Sequence, residues 1–224
     1  GCSNISRTPC LKSVQIVFVE GHSKDNTKEE IQKVINKYKG KKDILLVNQG
    51  RGKGKGDAVR KGIAKANGDI LIIFDADLTV SISDLQKFYQ ALRNRKAEFI
   101  QGSRLVYPME KEAMRVLNIL GNKFFSAAFS FLLDQKIKDT LCGTKAIFRK
   151  DYEAIAHNRA YFGDFDPFGD FDLLFGAAKL NLKIVELPIR YRARMYGQTN
   201  IQRWRHGWLL LKMVVFAMRK IKFI

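Results

Sequence analysis

Cysteine is scarce. Cys2, Cys10 and Cys142 are the only three in 224 residues, far apart and without a Cys-x-x-Cys pair. Neither a disulfide framework nor a structural zinc site is expected, and a reducing, cytosolic setting fits best. No apolar run reaches the ~18 residues that a bilayer-crossing helix needs. Gly1 to Pro9 lacks the charged-then-apolar order of a signal peptide. Acidic residues are also short, 22 against 40 Lys and Arg, which leaves a net charge of +18. Such a surplus calls for an anionic partner: nucleic acid, a phosphorylated substrate or an anionic membrane surface. There is no internal repeat, no low-complexity tract and no clear interdomain linker. What the chain does have is apolar content, at 46%, which supports a core and argues against wholesale disorder. Its length suits one large domain, or one domain with an appendage.

The central stretch is Asp69 to Asp77. Ile70 to Phe74 are five consecutive apolar residues, read as a strand buried on both faces of a parallel sheet. Asp75 and Asp77 follow. If the extended geometry persists past Phe74, both side chains point the same way. Ligands of open α/β sheets bind at that end of a strand. Two neighbouring carboxylates repel unless a cation lies between them, and Mg²⁺ or Mn²⁺ prefers oxygen ligands. The pattern therefore points to a metal site holding a diphosphate. A helix cap beside a solvated acid is the plainer alternative.

Upstream, Val14 to Val19 reads as a strand that runs into the polar loop Glu20-Gly21-His22-Ser23-Lys24-Asp25-Asn26-Thr27. Thr27-x-x-Glu30 is a capping-box pattern, and Ile31, Val34, Ile35 and Tyr38 give a helical stripe that Gly40 stops. A short strand, Ile44 to Val47, leads into Gln49 to Asp57, where glycine alternates with base. Neither GxxxxGK[ST] nor GxGxxG fits there. Glycines nonetheless let backbone N–H groups approach an anion. Arg51, Lys53 and Lys55 add charge, and a helix starting near Gly56 adds its dipole. A flexible basic surface loop is the competing interpretation. Ser83-x-x-Gln86 marks another helix start, and Phe99-Ile100 begins a strand ending in Gly102-Ser103-Arg104. The order β-α-β-α-β-α-β predicts a parallel sheet with right-handed crossovers.

The second half is more apolar. Glu112 to Leu133 is a long helical stretch, either a core helix or a membrane-facing one. Asp139 to Thr144 reads as a loop and Ala146 to Phe148 as a short strand. Asp164, Asp166, Asp170 and Asp172 lie among aromatics, where a raised pKa would suit general acid or base work; turn and cap roles are the alternative. Ile184 to Pro188 suggests an edge strand, since proline cannot donate to a ladder. Arg190, Arg192 and Arg194 alternate at period 2. Trp204 and Trp208 open an apolar helix flanked by bases, which fits either an interfacial helix or a buried core helix.

These motifs, Glu20-Gly21-His22-Ser23-Lys24-Asp25, the Gly-Lys-Gly loop, Asp75-Ala76-Asp77, Gly102-Ser103-Arg104 and Arg194-x-x-Gly197-x-Thr199, occur in the order seen in family 2 glycosyltransferases of the GT-A fold. The chain resembles in particular the polyprenyl-phosphate hexosyltransferases, such as dolichyl-phosphate mannose synthase. The resemblance implies an α/β, GT-A-like, mainly parallel sheet flanked by helices, spanning residues 1–200, with an amphipathic, membrane-interfacial helix at 201–224. It implies a nucleotide-sugar donor linked to UDP or GDP, Mg²⁺ or Mn²⁺ as cofactor, and transfer with inversion. Asp75 and Asp77 would hold the metal. Glu20, Ser23, Asp25, Gly54, Lys55, Asp75, Arg104 and Arg194 would line the donor site. Asp172, with Asp170, would serve a hydroxyl acceptor as base; a polyprenyl phosphate needs none. An anionic membrane surface is the expected partner, on whose cytoplasmic face the chain would lie peripherally, and nucleic acid is not expected. Three departures stand out. Nothing before Val14 matches the family's first nucleotide-cradling strand, so a fragment lacking it is expected. Gly21 takes the place of a second acid. Thr79 stands where dolichyl-phosphate mannose synthases often carry a metal-binding Gln. The rival functions are a basic nucleic-acid-binding module without catalysis, and a nucleotidyltransferase.

Overall fold

The computed structural model describes residues 14–52, 54–104, 116–159, 171–192 and 203–222. Its contacts fall into two compact units, Gly1–Gly68 and Asp69–Ile224.

The first unit pairs β1 (Gln15–Glu20) with β2 (Asp43–Asn48) in parallel, in register from Gln15↔Asp43 to Glu20↔Asn48. Parallel pairing needs a crossover, and α1 (Thr27–Lys37) supplies it. The capping box at its start does not form. Asp25 instead accepts from both the N–H and the hydroxyl of Thr27, and Glu30 pairs with Lys33. A carboxylate two residues upstream outcompetes one reaching back along the helix, because it closes a smaller ring. Gly40 turns left-handed, φ 76°, just after the helix, as its position predicts. The second helix, α2 (Gly54–Lys65), begins one residue pair earlier than expected and lays Gly62 against Val19.

The second unit is a four-stranded sheet ordered β3-β5-β4-β6, from β3 (Ile70–Ile73), β4 (Phe99–Ser103), β5 (Lys145–Phe148) and β6 (Ile184–Pro188). β6 is parallel to β4, while β5 runs antiparallel to both β3 and β4. The four-stranded sheet is therefore mixed, with β5 as its one reversed strand, whereas the β1–β2 pair is parallel as expected. The long connection through α4 (Val116–Leu132) lets the chain re-enter between two older strands in either direction. β6 does lie at the edge, where Pro188 is tolerated.

α3 (Leu85–Arg93) starts after a 3₁₀ turn at Ile82–Asp84, without the predicted serine cap; Asp84 pairs with Lys87 instead. Its Phe88 and Leu92 are wholly buried with Ile100, Ala146 and Ile189, and Ile70, Ile72 and Phe74 pack against that cluster. Helices α5 (Arg149–His157), α6 (Phe171–Lys179) and α7 (Arg203–Ala217) also belong to this unit. The rings of Phe129, Phe171 and Phe175 meet at 5.0–5.7 Å, and Phe216 of α7 stacks on Phe175 at 6.4 Å. Helix α7 is buried on one side and exposed on the other. Met213 and Ala217 are buried, whereas Trp208, Leu211 and Val215 are exposed. No described helix is long and apolar enough to cross a membrane.

Candidate functional site

The acidic pair sits at the C-terminal end of β3, but not in extended chain. The strand stops at Ile73, Ala76 and Asp77 form a turn, and Leu78 is left-handed at φ 54°. Both carboxylates are half-buried. Asp77 Oδ1 accepts from Thr79 twice, from its N–H at 3.1 Å and its hydroxyl at 2.8 Å. Thr79 O accepts from the Arg192 N–H at 2.9 Å, and Val80 bridges to Tyr191. The turn is thereby tied to the residues that follow β6.

Arg104, at the end of β4, lies over the Tyr191 ring at 5.2 Å. Its Nε and Nη2 each donate to Asp139 at 2.7 Å, and its backbone N–H adds a third bond at 3.0 Å. Asp139 is wholly buried and also accepts from Asn122 of α4 and from the Leu141 N–H. Burial alone would raise its pKa, yet the Arg104 bonds hold it below the usual carboxylate value. Glu186 of β6 receives the N–H groups of Lys138 and Asp139, and burial pushes its pKa up. Gln101 reaches the Asp139 carbonyl. Ser103 Oγ is buried, with no hydrogen-bond partner among the described residues.

Asp172 belongs to a different cluster. It lies in the first turn of α6 and pairs with Arg159 at 2.7 Å. Lys145, which the sequence reading passed over, is wholly buried in β5 and donates to the Cys142 carbonyl. A lone cation inside a short apolar strand was the available signal. Asp170, Arg194, Lys53, Asp164 and Asp166 lie outside the described residues.

The first unit gathers Glu20, Ser23, Asp25 and the glycine loop at the ends of β1 and β2. Glu20 is buried and accepts from the Ser23 N–H at 2.6 Å, the main reason its pKa lies below the usual value. The Thr27 hydroxyl does the same for Asp25. The glycine loop is organised from within. Gln49, buried and missed by sequence reading, donates to Gly54 O at 2.8 Å and to Asp57 at 2.9 Å. Lys61 bonds Gln49 O and pairs with Asp57 at 3.1 Å. Gly50 and Gly54 take φ of 63° and 79°, and a Cβ on Gly52 would fall 1.8 Å from the Asp57 carboxylate. His22 lies 3.3 Å from Gly52 O, which joins the two loops. Lys55 falls in the first turn of α2, where backbone N–H groups gather.

Residues 4–156 match the profile described as glycosyl transferase family 2. A dolichyl-phosphate beta-glucosyltransferase of Trichomonas vaginalis is 32% identical over 186 residues, which are 79% of this chain and 54% of the relative. A dolichol-phosphate mannosyltransferase of Pyrococcus furiosus is 28% identical over 218 residues, 93% of this chain and 58% of the relative. The chain spans about half the length of the curated relatives it matches, 52–54% of three from Trichomonas vaginalis. Among solved structures, glucosyl-3-phosphoglycerate synthase from Mycobacterium tuberculosis, in complex with Mn²⁺, UDP-glucose and glycerol 3-phosphate, superposes with a TM-score of 0.59. That alignment has 16% identity and covers 92% of this chain and 68% of that one. At that identity the likeness speaks for the fold alone.

Proposed function

The chain belongs to glycosyltransferase family 2 and has the GT-A fold, and from that premise we propose that it transfers a hexose from a nucleotide-sugar to a polyprenyl phosphate, with inversion at the sugar carbon. The observation that carries the reading is the half-buried Asp75/Asp77 pair at the C-terminal end of β3. The donor set suits a hard divalent cation. Asp75 and Asp77 both offer carboxylate oxygens, the donor type that Mg²⁺ and Mn²⁺ prefer. Two protein oxygens, with phosphate and water completing the shell, is the usual manner of holding Mg²⁺. Asp75 and Asp77 would hold the cation, which when bound neutralises charge on the departing diphosphate.

In the reaction, the bond from the sugar C1 to the diphosphate oxygen breaks and its electron pair leaves with the nucleotide. An acceptor phosphate oxygen forms the new bond to C1. That oxygen is already ionised, so no base is required, and the Arg159 pairing of Asp172 suits an orienting role better than proton removal. Glu20, Ser23, Asp25, Gly54, Lys55, Arg104 and Arg194 are assigned to the donor side. We place the transferase domain at 1–200 and give 201–224 to the membrane surface, on the strength of the exposed Trp208, Leu211 and Val215.

The test is incubation with a panel of UDP- and GDP-sugars, Mg²⁺ or Mn²⁺, and dolichyl phosphate in detergent. Release of UDP or GDP that needs both acceptor and metal is expected. Transfer that persists undiminished in Asp75→Asn and Asp77→Asn would overturn the assignment.

A further inference from the structure

We propose that Thr79 is the positioning residue of the acidic turn: its hydroxyl holds Asp77 in the orientation that receives a divalent cation. This rests on the reading of Asp75 and Asp77 as the cation-holding pair. Thr79 is 4% exposed while Asp77 is half-buried, so Thr79 does not itself reach a cation arriving from solvent. It acts through the carboxylate. Both of its donors converge on one oxygen, Oδ1, at 2.8 and 3.1 Å, which selects one rotamer of Asp77 and directs the carboxylate plane.

The hydroxyl has something firm behind it. The Thr79 carbonyl is bonded by Arg192, the adjacent Val80 pairs with Tyr191, and the Tyr191 ring lies under Arg104. Arg104 is clamped by the wholly buried Asp139. A left-handed residue, Leu78, lies between Asp77 and Thr79. The two Thr79 bonds link the Asp77 carboxylate to this frame across that left-handed residue. Ordering the carboxylate before the cation arrives removes a conformational cost from binding. Hydrogen-bond partners of metal ligands are typically worth about 10–100-fold in metal affinity.

The backbone bond survives any side-chain change, so the hydroxyl can be tested alone. Mn²⁺ binding to the full chain is titrated by electron paramagnetic resonance, with Mn²⁺ alone as the probe. Thr79→Val should bind Mn²⁺ about tenfold more weakly, Thr79→Ser should stay close to the parent, and Asp77→Asn should lose binding. If Thr79→Val does not melt cooperatively, Thr79→Ala, which also lacks the hydroxyl, is read in its place. Parental affinity in the hydroxyl-less variant, with binding lost in Asp77→Asn, overturns the positioning role and leaves the cation pair standing. Parental affinity in Asp77→Asn overturns the cation pair and Thr79's role with it. Equal losses in Thr79→Ser and Thr79→Val also overturn the proposal, because a hydroxyl at that site would then not suffice.

Discussion

Arg104 and Asp139 form a two-pronged ion pair, Nε to Oδ2 and Nη2 to Oδ1, each 2.7 Å, with no solvent reaching the carboxylate. The pair joins the end of β4 to the loop that leads into β5, and Asn122 of α4 adds a bond to the same carboxylate. The geometry matches the planar guanidinium to the planar carboxylate, the arrangement that best offsets the loss of water around two charges.

Asp139→Ala should destabilise the fold by about 3–5 kcal/mol, since it leaves the Arg104 cation with its main buried partner gone. Arg104→Met combined with Asp139→Leu should recover much of that loss, because no charge is then stranded. Urea denaturation of the three proteins gives the comparison directly.

Acid should weaken the fold through the same pair. Asp139 has a depressed pKa in the folded state, so its contribution is present above its unfolded value, about 3.9, and is lost as pH falls through the folded one. Glu186 has the opposite sign. Its folded pKa is raised, chiefly by burial, so its contribution improves as pH falls toward its unfolded value of about 4.3. Urea midpoints should therefore change little or rise slightly between neutral pH and the mid-acid range, then drop below about pH 4. The late drop should shrink in Asp139→Ala.

Gly176 in α6 is predicted to tolerate no side chain. A Cβ there would lie 2.4 Å from Ile155 Cγ2 of α5. Gly176→Ala should cost about 1–3 kcal/mol despite alanine's better helix propensity, because overpacking a closed interior outweighs propensity. Pairing it with Ile155→Ala should restore part of the loss in a double-mutant cycle.

Membrane adsorption should depend on residues that the fold does not need. Phe124 and Phe131 of α4 are 58% and 62% exposed, and Trp208 of α7 is 63% exposed. The spacing of seven in α4, and that of Trp208, Leu211 and Val215 in α7, places each set on one helix face. Trp208→Ala with Phe131→Ala should reduce co-sedimentation with anionic vesicles while changing stability by little more than ~0.5 kcal/mol per site. Raised salt should weaken binding of the parent protein further.

Much of this architecture is legible in the residue order. The periodicity of Ile31, Val34, Ile35 and Tyr38 gives α1, and the run Ile70 to Phe74 gives the β3 region, because burial period follows backbone geometry. The acids at the end of β3 and the glycine loop before α2 were visible as motifs. Helix starts were less legible: Thr27 and Ser83 both looked like caps, but Asp25 takes the Thr27 N–H and hydroxyl, and at α3 Asp84 pairs with Lys87 while no side chain caps the helix. Competition among several local hydrogen-bond partners is decided by fractions of an ångström that spacing does not encode.

The sequence by itself marked strands β1 to β6, helices α1 to α4 and the helix near the end of the chain, the acids and bases of the candidate site, and a cationic surplus that favours an anionic partner. These are local properties, set by side-chain type and by a repeat of two or 3.6 residues. Tertiary structure alone decided that β5 runs backwards between β3 and β4, that Arg104 pairs with Asp139, and that Thr79 links Asp77 to the residues following β6. Each of those outcomes joins residues from distant parts of the chain. Which partners meet depends on closing long loops and on satisfying every buried charge at once, and neither condition is written in any one stretch of residues.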